Sequence, residues 1–141
     1  MKMIITFMLS FLSLVTLAED RFTKAMEANI TALYAAGSIE ELQAVANKFE
    51  RIASAEKSQW LPAYYGSLAY LWMATREEDM AVRDQWLDQS QSLLDLAIGV
   101  KAEESEIATL QGFIYMIRIT VDPPTRVNLL AKERLPSTAR Q

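Results

Sequence analysis

Apolar residues recur along this chain at every third or fourth position and rarely alternate with polar ones. That is the period of a helix with one buried face, not of a half-buried strand. The first such run, residues 20–36, puts Phe22, Met26, Ile30 and Leu33 on one side, and Gly37 offers a stop. Ser38 followed by Glu41 predicts a capping box, in which the serine oxygen takes a free backbone N–H and the glutamate answers in return. A second helix then carries Ile39, Leu42, Val45 or Ala46, Phe49 and Ile52 on its inner face. So short a connection predicts a helical hairpin. Lys57-Ser58-Gln59-Trp60 reads as a loop, and Pro62 fits the first turn of a third helix, where its missing N–H costs nothing. That helix takes in Leu61, Tyr64, Tyr65, Leu68 and Trp72. After the charged connector Arg76-Glu77-Glu78-Asp79, a fourth helix over about residues 80–100 buries Trp86, Leu93, Leu94 and Ala97. A fifth runs from near Glu104 to Val121, where Asp122-Pro123-Pro124 ends it. The expected fold is all-α, with stacked antiparallel hairpins.

Composition agrees. Gly and Pro number four each, and no Asn-Gly or Asp-Gly dipeptide marks a β-hairpin. With 51% apolar residues in 141, the chain can bury one modest core. It holds no cysteine and no histidine, which excludes disulfides, Cys/His metal sites and Ser-His or Cys-His nucleophile pairs.

The first 18 residues stand apart. Lys2 is followed by an apolar stretch over residues 3–17, and Thr16-Leu17-Ala18 offers small residues where a signal peptidase cuts, just before Glu19-Asp20. The stretch is shorter than the roughly 20 residues a membrane span needs. Residues 1–18 are therefore expected to be a cleaved signal peptide, leaving no stable membrane anchor and a periplasmic or secreted protein that begins near Glu19. From residue 19 to 122 there are nine Lys/Arg against seventeen Asp/Glu, a net of −8. From 123 to 141 the balance reverses, with four bases and one acid. An acidic body without a basic stripe argues against nucleic acid as a partner. The 123–141 segment has a weak apolar face at Val127, Leu130 and Leu135. It reads either as a truncated or frame-shifted end, or as a short capping helix with a disordered tail.

The third and fifth helices repeat one another. Shifted by 43 residues, Ala69 meets Gly112, Tyr70 meets Phe113, Leu71 meets Ile114, Trp72 meets Tyr115 and Met73 meets Met116. Internal self-similarity of this kind is the mark of a repeat architecture. Tyr65, Leu68-Ala69 and Trp72 resemble the first-helix pattern of the tetratricopeptide repeat, and Ser90, Leu94 and Ala97 resemble the second. Gly112 and Tyr115 reopen the pattern one repeat later. Departures are plain: Tyr65 stands for Trp, Ser90 for Ala, Ala102 for Pro and Gln111 for Leu. The connector over residues 76–83 adds about nine residues, giving a period of 43 instead of the usual 34. The first hairpin matches loosely, through Ile30, Leu33, Gly37 and Leu42. The chain is also similar in overall look to small exported repeat proteins of Gram-negative bacteria such as Bacteroidetes.

The resemblance implies a tetratricopeptide-like solenoid whose first helices line a concave binding face. Tyr70, Met73, Phe113 and Met116 then become candidate partner contacts, with Tyr34 from the first hairpin; aromatic and methionine side chains suit adaptable protein surfaces. The competing reading makes them ordinary core of a small bundle. Gly112 is expected to be small because helix four presses on it. Arg118, alone in its charge between Ile107 and Val121, either bridges to a partner carboxylate or lays its stem on apolar surface with its head in water. Glu77-Glu78-Asp79 and Glu103-Glu104-Glu106 read as solvated helix caps or as ligands for a hard cation, though neither has the spacing of a known loop. Asn29-Ile30-Thr31 is a glycosylation sequon in mid-helix, meaningful only in a eukaryotic secretory route. No metal or cofactor site is expected. Two function classes remain. One is an exported scaffold that binds an unknown protein or peptide without catalysis. The other is a carboxylate-dependent hydrolase of the cell envelope, which needs two acids converging on a sugar-sized cleft.

Overall fold

The computed structural model describes the backbone of residues 2–121 and the side chains of residues 19–120. The stop at Asp122-Pro123-Pro124, both readings of residues 123–141 and the side-chain pattern of residues 1–18 lie outside that range. Five helices follow one another: α1 (Lys2–Ala35), α2 (Ile39–Ala55), α3 (Leu61–Arg76), α4 (Met80–Lys101) and α5 (Ser105–Val121). Among the described residues there is no strand. The chain is all-α, as its periodicity predicts.

One boundary differs. The first helix does not begin at residue 20 but runs unbroken from Lys2. Just after Ala18 local bonds support it: the Thr23 hydroxyl donates to the Glu19 carbonyl at 3.0 Å, and Lys24 pairs with Asp20 at 2.8 Å. Leu, Met and Ala on both sides favour helix, and no Gly or Pro interrupts.

The other starts have clear causes. Ser38 Oγ accepts the Glu41 N–H at 3.2 Å, while Glu41 Oε2 accepts the Gly37 and Ser38 N–H groups at 2.6 and 3.3 Å. This reciprocal cap sets the tight α1–α2 turn. Pro62 lies in the first turn of α3. Asp79 Oδ1 accepts from the N–H groups of Ala81 and Val82 at 2.8 and 3.1 Å and opens α4. Glu77 Oε1 takes the N–H groups of Glu78 and Asp79, so the acids of this connector act as helix caps.

Consecutive helices run antiparallel. Phe49 meets Tyr65 and Gln43 reaches Tyr70 between α2 and α3; Ser67 meets Ser90 and Tyr70 meets Trp86 between α3 and α4. Gln91 bonds Gln111, and Arg118 reaches Asp88, between α4 and α5. The odd-numbered helices form one layer and α2 and α4 the other. α3 packs most heavily on α4 and α2, with slighter contacts to α1 and α5. Two core clusters result. One joins α1, α2 and α3 through Met26, Leu33, Leu42, Phe49, Tyr70 and Met73; the other joins α3, α4 and α5 through Leu71, Leu87, Leu94, Ile107, Leu110 and Ile114.

The close approach is not at Gly112, where an added Cβ would meet nothing within 4 Å among the described residues. It is at Gly66, whose Cβ would stand 2.9 Å from Leu93 Cδ1 and 3.4 Å from Phe49 Cβ, squeezed between α4 and α2. One turn along, Ser90 Oγ donates to the Ser67 carbonyl at 2.9 Å, and the two hydroxyls stand 3.0 Å apart. With the Ser90 proton used, the Ser67 hydroxyl donates to Ser90 Oγ. Ser90 is small and fully buried, and it adds a buried polar clasp between α3 and α4.

Candidate functional site

α3 is apolar on every side, a pattern that normally means complete burial. Yet its burial is one-sided. Gly66, Ala69, Tyr70, Met73 and Ala74 are buried, whereas Leu61, Tyr64, Tyr65, Leu68 and Trp72 are only half-buried. These five lie at helical spacing along the remaining face, with Tyr65 at its edge stacked on Phe49 of α2. α1 and α5 flank it.

Aromatic rings link across this face. Tyr34 of α1 meets Trp72 edge-on at 5.4 Å, Tyr64 meets Tyr65 at 5.2 Å, and Trp60 meets Tyr64 at 5.6 Å. Such offset and edge geometries suit the ring quadrupoles. Burial pushes the Tyr64 and Tyr65 phenols up, and the neighbouring charges add to it in the same direction. The hydroxyls of Tyr34, Tyr64 and Tyr65 make no hydrogen bond among the described residues, so each remains able to donate. The face therefore presents π-surfaces and phenol donors.

The four candidates from the repeat alignment divide. Tyr70 is 5% exposed and Met73 fully buried. Neither offers a side chain to a partner, so both are corrected to core. Tyr70 stacks on Trp86, and its hydroxyl donates to Glu50 Oε1 at 2.7 Å and accepts from Gln43 at 3.2 Å. Phe113 and Met116 are 50% and 52% exposed, and Tyr34 is 64% exposed. The 43-residue shift pairs residues of like type but unlike surroundings, because α3 is covered by helices on two sides and α5 by α4 on one. Sequence reasoning missed Tyr64, Tyr65 and Trp72 as surface because the repeat alignment directed the open face of the third helix to Tyr70 and Met73 instead. The signal was present: apolar residues occupy more of the α3 circumference than one buried face requires.

Arg118 is neither a partner's bridge nor a solvent-facing head. It pairs with Asp88 at 2.8 Å and stands 3.6 Å from Asp84, fastening α5 to α4. Glu104 pairs with Lys101 at the α4–α5 turn. Asn29 lies half-buried within α1, and Thr31 bonds back to the Glu27 carbonyl. Among the described residues, no three His, Cys, Asp or Glu gather as a metal site.

The opposite side has a different feature. α2 and α4 both pack on α3 and scarcely touch each other, which leaves a cleft of about 740 Å³ between them. Ala63 and Leu93 lie at its base; Lys57, Leu96 and Val100 line its sides.

The fold and face define an all-helical hairpin stack with an open aromatic surface. No protein-family model matches the chain, and neither a curated protein nor a solved structure does.

Proposed function

We propose that this protein is an exported scaffold of tetratricopeptide type that binds a protein or peptide along the open face of α3, without catalysis. The observation that carries the reading is the row Leu61, Tyr64, Tyr65, Leu68 and Trp72, left half-buried and continued by Tyr34. A contiguous apolar face of this kind on a soluble domain marks an interaction surface more often than a lone exposed residue does. Tyr and Trp are also the side chains that anchor protein interfaces, since one rigid ring gives much contact area and a polar edge.

The repeat resemblance supports the choice. Tyr65, Leu68 and Trp72, which carry its first-helix pattern, share this face, and Ser90 occupies its small second-helix position against α3. Export rests on the leader. Its parts are Lys2, the apolar stretch over residues 3–17 and the small residues Thr16 and Ala18 before Glu19-Asp20. Among the described residues, no helix is long and apolar enough to cross a membrane.

Affinity capture from the native periplasm tests the binding claim. Tyr65→Ala with Trp72→Ala is expected to lose the captured partner, while Leu96→Ala, on the other layer, retains it. Equal capture by all variants would sink the claim. Intact-mass analysis of protein from its native host tests export, with a mature chain starting near Glu19 expected. A chain starting at Met1 and confined to the cytoplasm would remove it.

A further inference from the structure

The cleft between α2 and α4 carries charge at two points, Glu50 and Lys57; its other lining residues are uncharged. Neither makes an ion pair among the described residues. Glu50 Oε1 accepts the Tyr70 hydroxyl at 2.7 Å, which holds the carboxylate in place, and Oε2 makes no bond among the described residues. Ala53 and Ser54 lie between the two charges in sequence and line the same wall. Glu50 precedes the end of α2 at Ala55 by about 8 Å of helix, and Lys57 follows shortly after that end. The acid and the base thus stand on the order of 10 Å apart along the cleft.

Between them the surface is apolar. Ala63 and Leu93 form the base, and Leu96 and Val100, 59% and 41% exposed, offer apolar area along the α4 wall. The side chains of Gln59, Gln89 and Ser92 make no hydrogen bond among the described residues, so they are free to meet amide groups. A volume of about 740 Å³ is that of a small-ligand site. We propose that the cleft takes a free peptide of about three residues, its ammonium on Glu50, its carboxylate on Lys57 and its apolar side chains against Leu96 and Val100.

Length and charge select this occupant. An extended tripeptide spans about 10 Å, at roughly 3.3–3.6 Å per residue, which matches the separation of the two charges. A fatty-acid anion meets Lys57 but covers Glu50 with nothing to pair it, and an unpaired carboxylate under a ligand costs desolvation energy. A segment inside a longer chain carries neither terminal charge. The site does not rest on the α3 face, which lies on the opposite side of the molecule.

Calorimetric titration of the full chain with the tripeptide Leu-Ala-Leu tests the assignment. The free peptide is expected to bind, and acetylation of its amine or amidation of its carboxylate should each weaken binding tenfold or more. Glu50→Gln keeps an acceptor for Tyr70 and should erase the penalty of acetylation alone. Lys57→Met should erase the penalty of amidation alone. That crossed pattern assigns each end of the peptide to its residue. The wild-type chain with the three peptide forms already decides the claim, should either variant fail to fold. No binding of the free peptide, or equal binding of the capped forms, would overturn it. So would dodecanoate that binds as tightly as the peptide and ignores Glu50→Gln, or a dimer of the chain that Leu96→Glu disperses.

Discussion

Tyr70 shows how far one side chain's surroundings govern its behaviour. Its ring is buried between Trp86 and the first core cluster, and its hydroxyl donates to Glu50. Burial, then that bond, pushes its pKa to about 12 from an ordinary 10.0. The neutral phenol is thus favoured by folding. Below pH 10 both folded and unfolded chains hold the proton and its contribution is constant. Above it the unfolded chain ionises first, so stability falls as pH rises from about 10 to about 12. Tyr64 and Tyr65 shift in the same direction and add to the trend. Denaturant melts should show this alkaline loss, and Tyr70→Phe should weaken it. Truncation separates the aligned pair: Tyr70→Ala should cost about 3–5 kcal/mol, as large core deletions do, and Phe113→Ala less than about 1 kcal/mol. The buried serines give a third contrast. Ser90→Ala strips the Ser67 hydroxyl of its acceptor and should cost about 1–3 kcal/mol, whereas removing both hydroxyls should cost less than the sum of the single changes. A double-mutant cycle that is strictly additive would refute the clasp.

At the scale of elements, legibility follows the range of the interaction. The capping box at Ser38 and Glu41, the Pro62 start and the hairpin turn at Gly37 depend on residues within four positions, and each is visible in the sequence. Ser38→Ala should therefore destabilise by about 1 kcal/mol through loss of the cap, read as a lower denaturant midpoint with an unchanged slope. Arg118 is the opposite case. Its partners lie 30 and 34 residues upstream on α4, so no local pattern announces them. Nor could spacing alone tell Gly66 from Gly112, since the helix pressing on a glycine belongs to a distant stretch. The candidate site was half legible for the same reason. Periodicity found the large apolar residues of α3, but which side the neighbouring helices leave open is a property of packing. Arg118→Ala should loosen α5 selectively, with faster amide exchange there than in α2.

For the molecule as a whole, the layer arrangement explains why an aromatic surface persists. Two even-numbered helices cannot cover three odd-numbered ones on both sides, so α3 keeps one face outward while its other sides are filled. The same arrangement has a kinetic consequence. α3 contributes to both core clusters, and it adheres firmly to α2 and α4 and weakly to the ends. The α2–α3–α4 pairings join neighbours in sequence, so they can form early at small loop-closure cost and serve as the folding nucleus. Mutations at Gly66 or Phe49 should then slow folding, while mutations at Leu33 or Ile114 chiefly speed unfolding. Seen this way, α3 is the chain's keel: the terminal helices are added to it late and leave it first.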